Sequence, residues 1–198
     1  EFQSQQLRAV VGQTLGEIGL VSLSATNAVQ NTLLSLAANH SFEVRDVAAK
    51  AIASWYPEER QKFYETLGRF YSIAVGKPLN SADQRVADYI GATVAMTVSY
   101  AALSDSPNHL SQELLSWLSE LSESQSVLVR AYLGYHTLAL AVPRHLEQLK
   151  VFIKELVKKY GALEDENGLA NAIGSSLAQA YEKYPEVVLD LLEEGFQS

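Results

Sequence analysis

Apolar residues recur along most of the chain three and four positions apart, the spacing that lays one stripe down the side of a helix. Leu7, Val10, Val11, Leu15 and Ile18 set a first helix over roughly Gln5 to Gly19. Ser24 is placed to cap a second, Ala25 to Ala38, which Asn39-His40 ends. Ser41 is placed to cap a third, the one carrying Arg45. Pro57 suits the first turn of a helix reaching Val75, with Glu58 and Glu59 favourable beside its N-terminus. Gly76 to Asn80 is a break, and Ser81 is the expected cap of a long apolar helix to Leu103. After the loop Ser104 to Asn108 come a helix from His109 to Leu121 and the serine-rich link Ser122 to Ser126. A helix bearing Arg130 follows, and Pro143 opens another that ends near Tyr160-Gly161. Beyond an acidic loop, Leu163 to Gly168, the last two helices cover Leu169 to Tyr184 and Pro185 to Glu194. No stretch alternates convincingly with the period of a strand. The reading is all-α: about ten helices, with connections short enough for antiparallel pairs.

One pattern within these helices repeats. Arg8, Arg45, Arg85 and Arg130 each stand near a predicted helix start, at intervals of about 37, 40 and 45 residues. An apolar residue precedes three of them (Leu7, Val44, Val129), whereas Gln84 precedes Arg85. Small residues follow: Gly12 and Gly16; Ala48, Ala49, Ala51 and Ala53; Ala87, Gly91 and Ala92; Ala131 and Gly134. Small side chains let helices approach closely. A fifth copy, near Glu166 to Ala180, keeps Ala170, Ala172 and Gly174 without an arginine.

This recurring helix resembles the second helix of HEAT repeats, and the resemblance extends over most of the chain. It implies a HEAT-like α-solenoid of about five helix pairs, a single repeat domain over residues 1–198. It also implies that the arginines form a structural ladder between repeats, with acidic or carbonyl partners. The first helix has the character of the second half of a repeat and the last that of a first half. A terminal repeat normally carries a polar outer face, but the first helix is apolar. A segment of a longer solenoid, or an end covered by a partner, is therefore expected.

Composition narrows the function. The net charge is −8 and the pI about 5.0, a poor match for a phosphate backbone, so no nucleic-acid partner is expected. There is no cysteine, which removes disulfides, thiolate metal sites and a cysteine nucleophile, and fits an intracellular, cytoplasmic or nuclear setting. The start of the chain lacks a basic segment followed by an apolar run, so it does not read as a signal peptide. The uncharged stretch Tyr89 to Leu103 is short for a bilayer and carries Thr93, Thr97 and Ser99. It reads as a buried helix of the stack, with no membrane insertion.

Candidate chemistry is sparse. No two of His40, His109, His136 and His145 lie three or four apart, so no helical metal pair forms. Glu164 to Gly168 lacks the ligand spacing and closing glutamate of a calcium loop. Gly174-Ser175-Ser176 lacks the flanking glycine of a nucleophile elbow. The side chains of the adjacent pairs Glu58-Glu59 and Glu193-Glu194 diverge on a helix. No catalytic residue, metal or cofactor is implied.

Two binding candidates remain. Arg144, His145, Lys150, Lys154, Lys158 and Lys159 gather on one helix, and Lys150, Lys154 and Lys158 share a face. That face is either an ordinary solvated one, partly balanced by Glu147 and Glu155, or a dock for an acidic partner segment. Tyr132, Tyr135 and His136 are the second candidate, as peptide anchors on an inner surface or as filling between repeats. The expected function is non-catalytic: a protein–protein interaction scaffold or adaptor segment of a larger intracellular assembly. The alternatives are a HEAT-like repeat enzyme of lyase or glycosylase type, and a helical domain that binds a small apolar ligand.

Overall fold

A computed structural model describes the backbone of residues 26–76, 80–160 and 169–196, together with Val10, Val11, Thr14 and Glu17, which are helical. All regular structure among the described residues is helical, with no strand. The fold class is thus all-α, as the periodicity predicts. Arg8, Ser24, the loop Leu163 to Gly168 and most of the helix expected over Gln5 to Gly19 lie outside the described residues. The chain divides into two compact units, Glu1–Ala101 and Ala102–Ser198.

The first unit contains α1 (Thr26–Ala37), α2 (Phe42–Ala53), α3 (Arg60–Ala74) and most of α4 (Ser81–Ser104). On α2 the small side chains Ala48, Ala49, Ala51 and Ala53 are buried with Ile52, and α1 packs closely against it. Phe63, Thr66, Leu67 and Phe70 of α3 repeat at three and four residues and form its buried stripe. Tyr56 and Tyr64 meet the Phe63 ring edge-on, both at centroid separations of 5.1 Å. Polar ties join α1 to α3: Gln30 donates to Thr66 at 2.8 Å, and Arg69 donates to Gln30 at 3.0 Å and Asn31 at 2.7 Å.

Two boundaries in this unit differ from expectation. Pro57 lies in a turn, and α3 begins three residues later at Arg60, with Glu59 as its N-cap. The Trp55 carbonyl accepts the N–H groups of both Glu58 and Glu59, winding the chain tightly while Trp55 and Tyr56 enter the core. A new helix axis can start only after that turn is complete. For α4 the cap is Asn80, whose Oδ1 accepts from the N–H groups of Ala82 at 2.9 Å and Asp83 at 3.0 Å; Ser81 is the first helical residue. Ser41 is the N-cap of α2, but its hydroxyl donates to the Glu43 carboxylate instead of bonding the helix backbone.

The 24-residue α4 is long and apolar enough, by length and composition alone, to cross a membrane. Within the fold it is a core helix, buried on every face from Ile90 to Ser99. Its hydroxyls satisfy themselves: Thr93, Thr97 and Ser99 each donate to the carbonyl four residues earlier.

The second unit contains α5 (Gln112–Ser122), α6 (Val127–Tyr132), a π-helical segment (Leu133–Leu138), α7 (Ala139–Tyr160), α8 (Leu169–Ala180) and α9 (Pro185–Phe196). Ser111 and Ser126 cap α5 and α6 by accepting from the N–H groups of Leu114 and Val129. Helical backbone then runs unbroken from Val127 into α7. Pro143 does not open a helix: it lies inside α7. Proline cannot donate to the preceding turn, and its ring crowds that turn. Here the chain widens into the π segment before the proline and bends after it, at His145 (φ −129°, ψ 25°). The buried stripe of α7 continues across the bend through Val142, Leu146, Leu149, Ile153 and Leu156. Both α8 and α9 pack on α7, with Ile173, Leu177 and Ala180 of α8 and Val188 and Leu191 of α9 buried.

Candidate functional site

The arginines come first, because they carry the repeat reading. Arg45, only 3 % exposed, donates from Nη1 to the carbonyls of Asn39 and His40, both at 2.9 Å. Its guanidinium also lies 4.9 Å from the centre of the Tyr89 ring. Arg130 donates from Nη1 to the carbonyl of Ser124. In both cases the arginine sits in the first turn of its helix and reaches back over the loop leading into it. These carbonyls are local, five and six residues earlier, so the bonds do not link one repeat to the next as a ladder would; they satisfy groups that a loop would otherwise leave unpaired. Arg85 lies on an exposed turn of α4. Arg8 is outside the described residues.

The lysine column on α7 forms one wall of a cleft. Lys150, Val151 and Lys154 face Val187, Asp190 and Leu191 of α9 across an open depression of about 200 Å³. Leu149 and Ile153 pull one side of α7 into the core and turn this face outward. Lys150 is exposed and lies 3.9 Å from Glu147; Lys154 is half-buried. Val151 stands 62 % exposed between the two lysines. An apolar floor with ammonium groups on one wall and a carboxylate on the other can hold an amphipathic segment and set its direction. The side chain of Lys158 lies outside the described residues.

Tyr132 and His136 stack with ring centroids 5.4 Å apart and planes 14° from parallel. Tyr135 projects outward, 55 % exposed. Tyr132 closes α6 and His136 lies in the π segment, four residues on, so the two rings are neighbours one turn apart on the helix surface. Two of the three rings are therefore engaged with each other, and Tyr135 alone offers a large exposed face.

Sequence reasoning missed two polar arrangements. The first surrounds the bend in α7. His145 is 0 % exposed, and its Nε2 bonds the Ala102 carbonyl at 2.9 Å. A carbonyl only accepts, so Nε2 carries the proton, and Nδ1 is left buried without a hydrogen-bond partner. Burial chiefly lowers the His145 pKa, with Arg144 and Lys183 acting in the same sense; the Ala102 bond and Asp105 partly oppose it. Around it α7 clamps the preceding loop. Arg144 donates to the Asp105 carbonyl at 3.1 and 2.8 Å, and its own carbonyl accepts from Asn108 at 3.3 Å. Gln148 both accepts from the Leu110 N–H and donates to the Leu110 carbonyl. Asn108 adopts the left-handed backbone, φ 56°, and donates from its side chain to the Tyr184 hydroxyl at 3.1 Å. The legible signal was the position of His145. It belongs to the apolar spacing Val142, Leu146, Leu149, although the charge pattern groups it with the basic residues of the same helix.

The second arrangement joins α2 to α4. The Tyr100 hydroxyl donates to Asp46, which pairs with Lys50 at 2.7 Å, and the Lys50 ammonium lies 5.4 Å from the Tyr100 ring centre. Burial first, then the bond and charge of Asp46, hold the Tyr100 pKa far above its ordinary value. Nothing in the local sequence pairs residues 54 positions apart.

Among the described residues no group of three or more His, Asp or Glu side chains is placed to hold a metal ion. Compared with family models, curated proteins and solved structures, the chain matches none.

Proposed function

We propose that this chain is a non-catalytic, HEAT-like helical-repeat segment that acts as a protein-binding scaffold or adaptor in an intracellular assembly. In this reading the helices form an α-solenoid of about five pairs, and partners dock at the cleft between α7 and α9. The observation that carries the proposal is the composition of that cleft: an exposed valine bracketed by two lysines, facing an aspartate over an apolar floor. Its volume of about 200 Å³ is below the roughly 300–1,000 Å³ usual for small-molecule sites, and it suits a few side chains of a docked segment. The matching loop clamps of Arg45 and Arg130 support the repeat reading, since two helix entries are built by the same device.

The test replaces Val151 with a photo-crosslinking residue in the full chain and irradiates it in lysate. A control carries the same residue at Lys62, on α3. Protein adducts at position 151, absent at position 62 and lost when Lys150→Glu and Lys154→Glu are added, are the expected outcome. Adducts that are the same at both positions, or none at position 151, would overturn the docking surface.

A further inference from the structure

We infer that the partner of this cleft is a second copy of the chain, related by a two-fold axis that runs along the cleft in the plane of contact. The inference rests on the cleft being a docking surface.

The two walls carry opposite charge. On α7 the outward face presents Lys150 and Lys154 around Val151, with Glu147 3.9 Å from Lys150, so the face keeps a net positive charge that is partly balanced. On α9 the exposed carboxylates Glu186, Asp190 and Glu193 follow one another at four and three residues, so they form one stripe, with exposed Leu189 beside it. A chain with a net charge of −8 thus places a basic column next to an acidic one. The arrangement is self-complementary under one symmetry operation. A two-fold rotation about an axis along the cleft puts α7 of each copy opposite α9 of the other. The lysine column then meets the acidic stripe twice, and the exposed Val151 of each copy is covered. An axis across the cleft would instead set lysines against lysines and carboxylates against carboxylates, which costs free energy. Charge therefore selects both the partner and the axis. Exposed ion pairs contribute little one at a time. Four facing columns around an apolar centre give an association of moderate strength that weakens with salt.

The experiment is sedimentation velocity on the purified full chain, from low-micromolar to several hundred micromolar, at low and high salt. The expected result is a reversible monomer–dimer equilibrium that salt weakens. A Lys150→Glu/Lys154→Glu variant and an Asp190→Lys/Glu193→Lys variant should each raise the dimer Kd at least about tenfold. Mixed one to one, the two variants should dimerise again, because in the mixed dimer each altered wall faces one of opposite sign. A wild-type chain that stays monomeric over the whole range would overturn the proposal. So would variants that still dimerise, or folded variants that fail to restore a dimer when mixed. If either variant loses its helical circular dichroism, crosslinking from position 151 in the purified wild-type background replaces it: an adduct of twice the chain mass, mapped to α9, supports the dimer. Failure here can be told from failure of the docking reading. Adducts at position 151 in lysate, with a monomeric purified protein, discard the second copy and keep the docking surface. No adduct in either setting discards both.

Discussion

The first unit is held by regular helices and the second by an irregular one. In Glu1–Ala101 the described helices pack through repeated small residues on α2 and through the Phe63–Phe70 stripe of α3, and polar side chains decorate a scheme that apolar spacing already specifies. In Ala102–Ser198 the central helix is widened, carries a proline and bends at His145, and polar groups hold the bend. Arg144, His145 and Gln148 of α7 satisfy backbone groups that lie between Ala102 and Leu110. The contrast teaches where sequence rules stop. Periodic apolar residues specify a helix and its buried side, but a helix that departs from the α form needs partners from distant parts of the chain to stabilise the departure.

The chain has a tryptophan in each unit, Trp55 buried in the first and Trp117 half-buried in the second. Variants Trp117→Phe and Trp55→Phe each leave one fluorescence reporter, so unfolding of the two units can be followed separately. The largest effects should come from core truncation. Phe63→Ala should lower the stability of the first unit by about 3–5 kcal/mol, and Leu149→Ala that of the second by about 2–5 kcal/mol, in denaturant titrations. Coincident transitions for both reporters in both variants would break the comparison, since the chain would then unfold as one unit.

Next in size are the loop clamps. Arg45→Ala should cost about 1–3 kcal/mol, because it removes a buried side chain and strips partners from part-buried carbonyls. Arg130→Ala should cost less, the side chain being half-buried. Arg85→Ala, on an exposed turn, should stay within about 0.5 kcal/mol. Equal losses at all three positions would contradict the distinction between clamping and exposed arginines.

The two units should also fail at opposite ends of the pH scale. The folded pKa of His145 lies below its ordinary 6.5, so the unfolded chain takes up a proton first as the pH falls. Its contribution to stability is full above pH 6.5 and is lost as the pH drops below that value. The folded pKa of Tyr100 lies above its ordinary 10.0, so the unfolded chain loses the proton first as the pH rises. Its contribution is full below pH 10 and is lost above it. Trp117 should therefore report an acid weakening that His145→Gln reduces, and Trp55 an alkaline weakening that Tyr100→Phe reduces. A swap of reporters would refute the assignment.

The smallest effects concern glycines inside helices. A Cβ at Gly68 of α3 or Gly174 of α8 would meet nothing within 4 Å. Alanine at each should stabilise its own unit by about 0.5–1 kcal/mol through the unfolded chain's lost freedom. A loss at either position would reveal a close neighbour.

By itself the sequence determined that the chain is helical and where most helices lie, because apolar spacing and caps act within a few residues. It did not fix every buried side, since Val10 and Val11 of the first stripe are exposed. It marked Lys150, Lys154 and Lys158, and Arg45 and Arg130, as notable, because charge and interval are visible in one dimension. Only the tertiary structure decided that Pro143 lies inside a helix, that His145 belongs to the core and not to the basic face, and that Asp46 meets Tyr100. It likewise decided that the lysine column faces Asp190 of α9 across a cleft. Each of these depends on groups that come together only when helices pack, and the free energy of pairing a buried polar group is set by a partner that no local pattern can name.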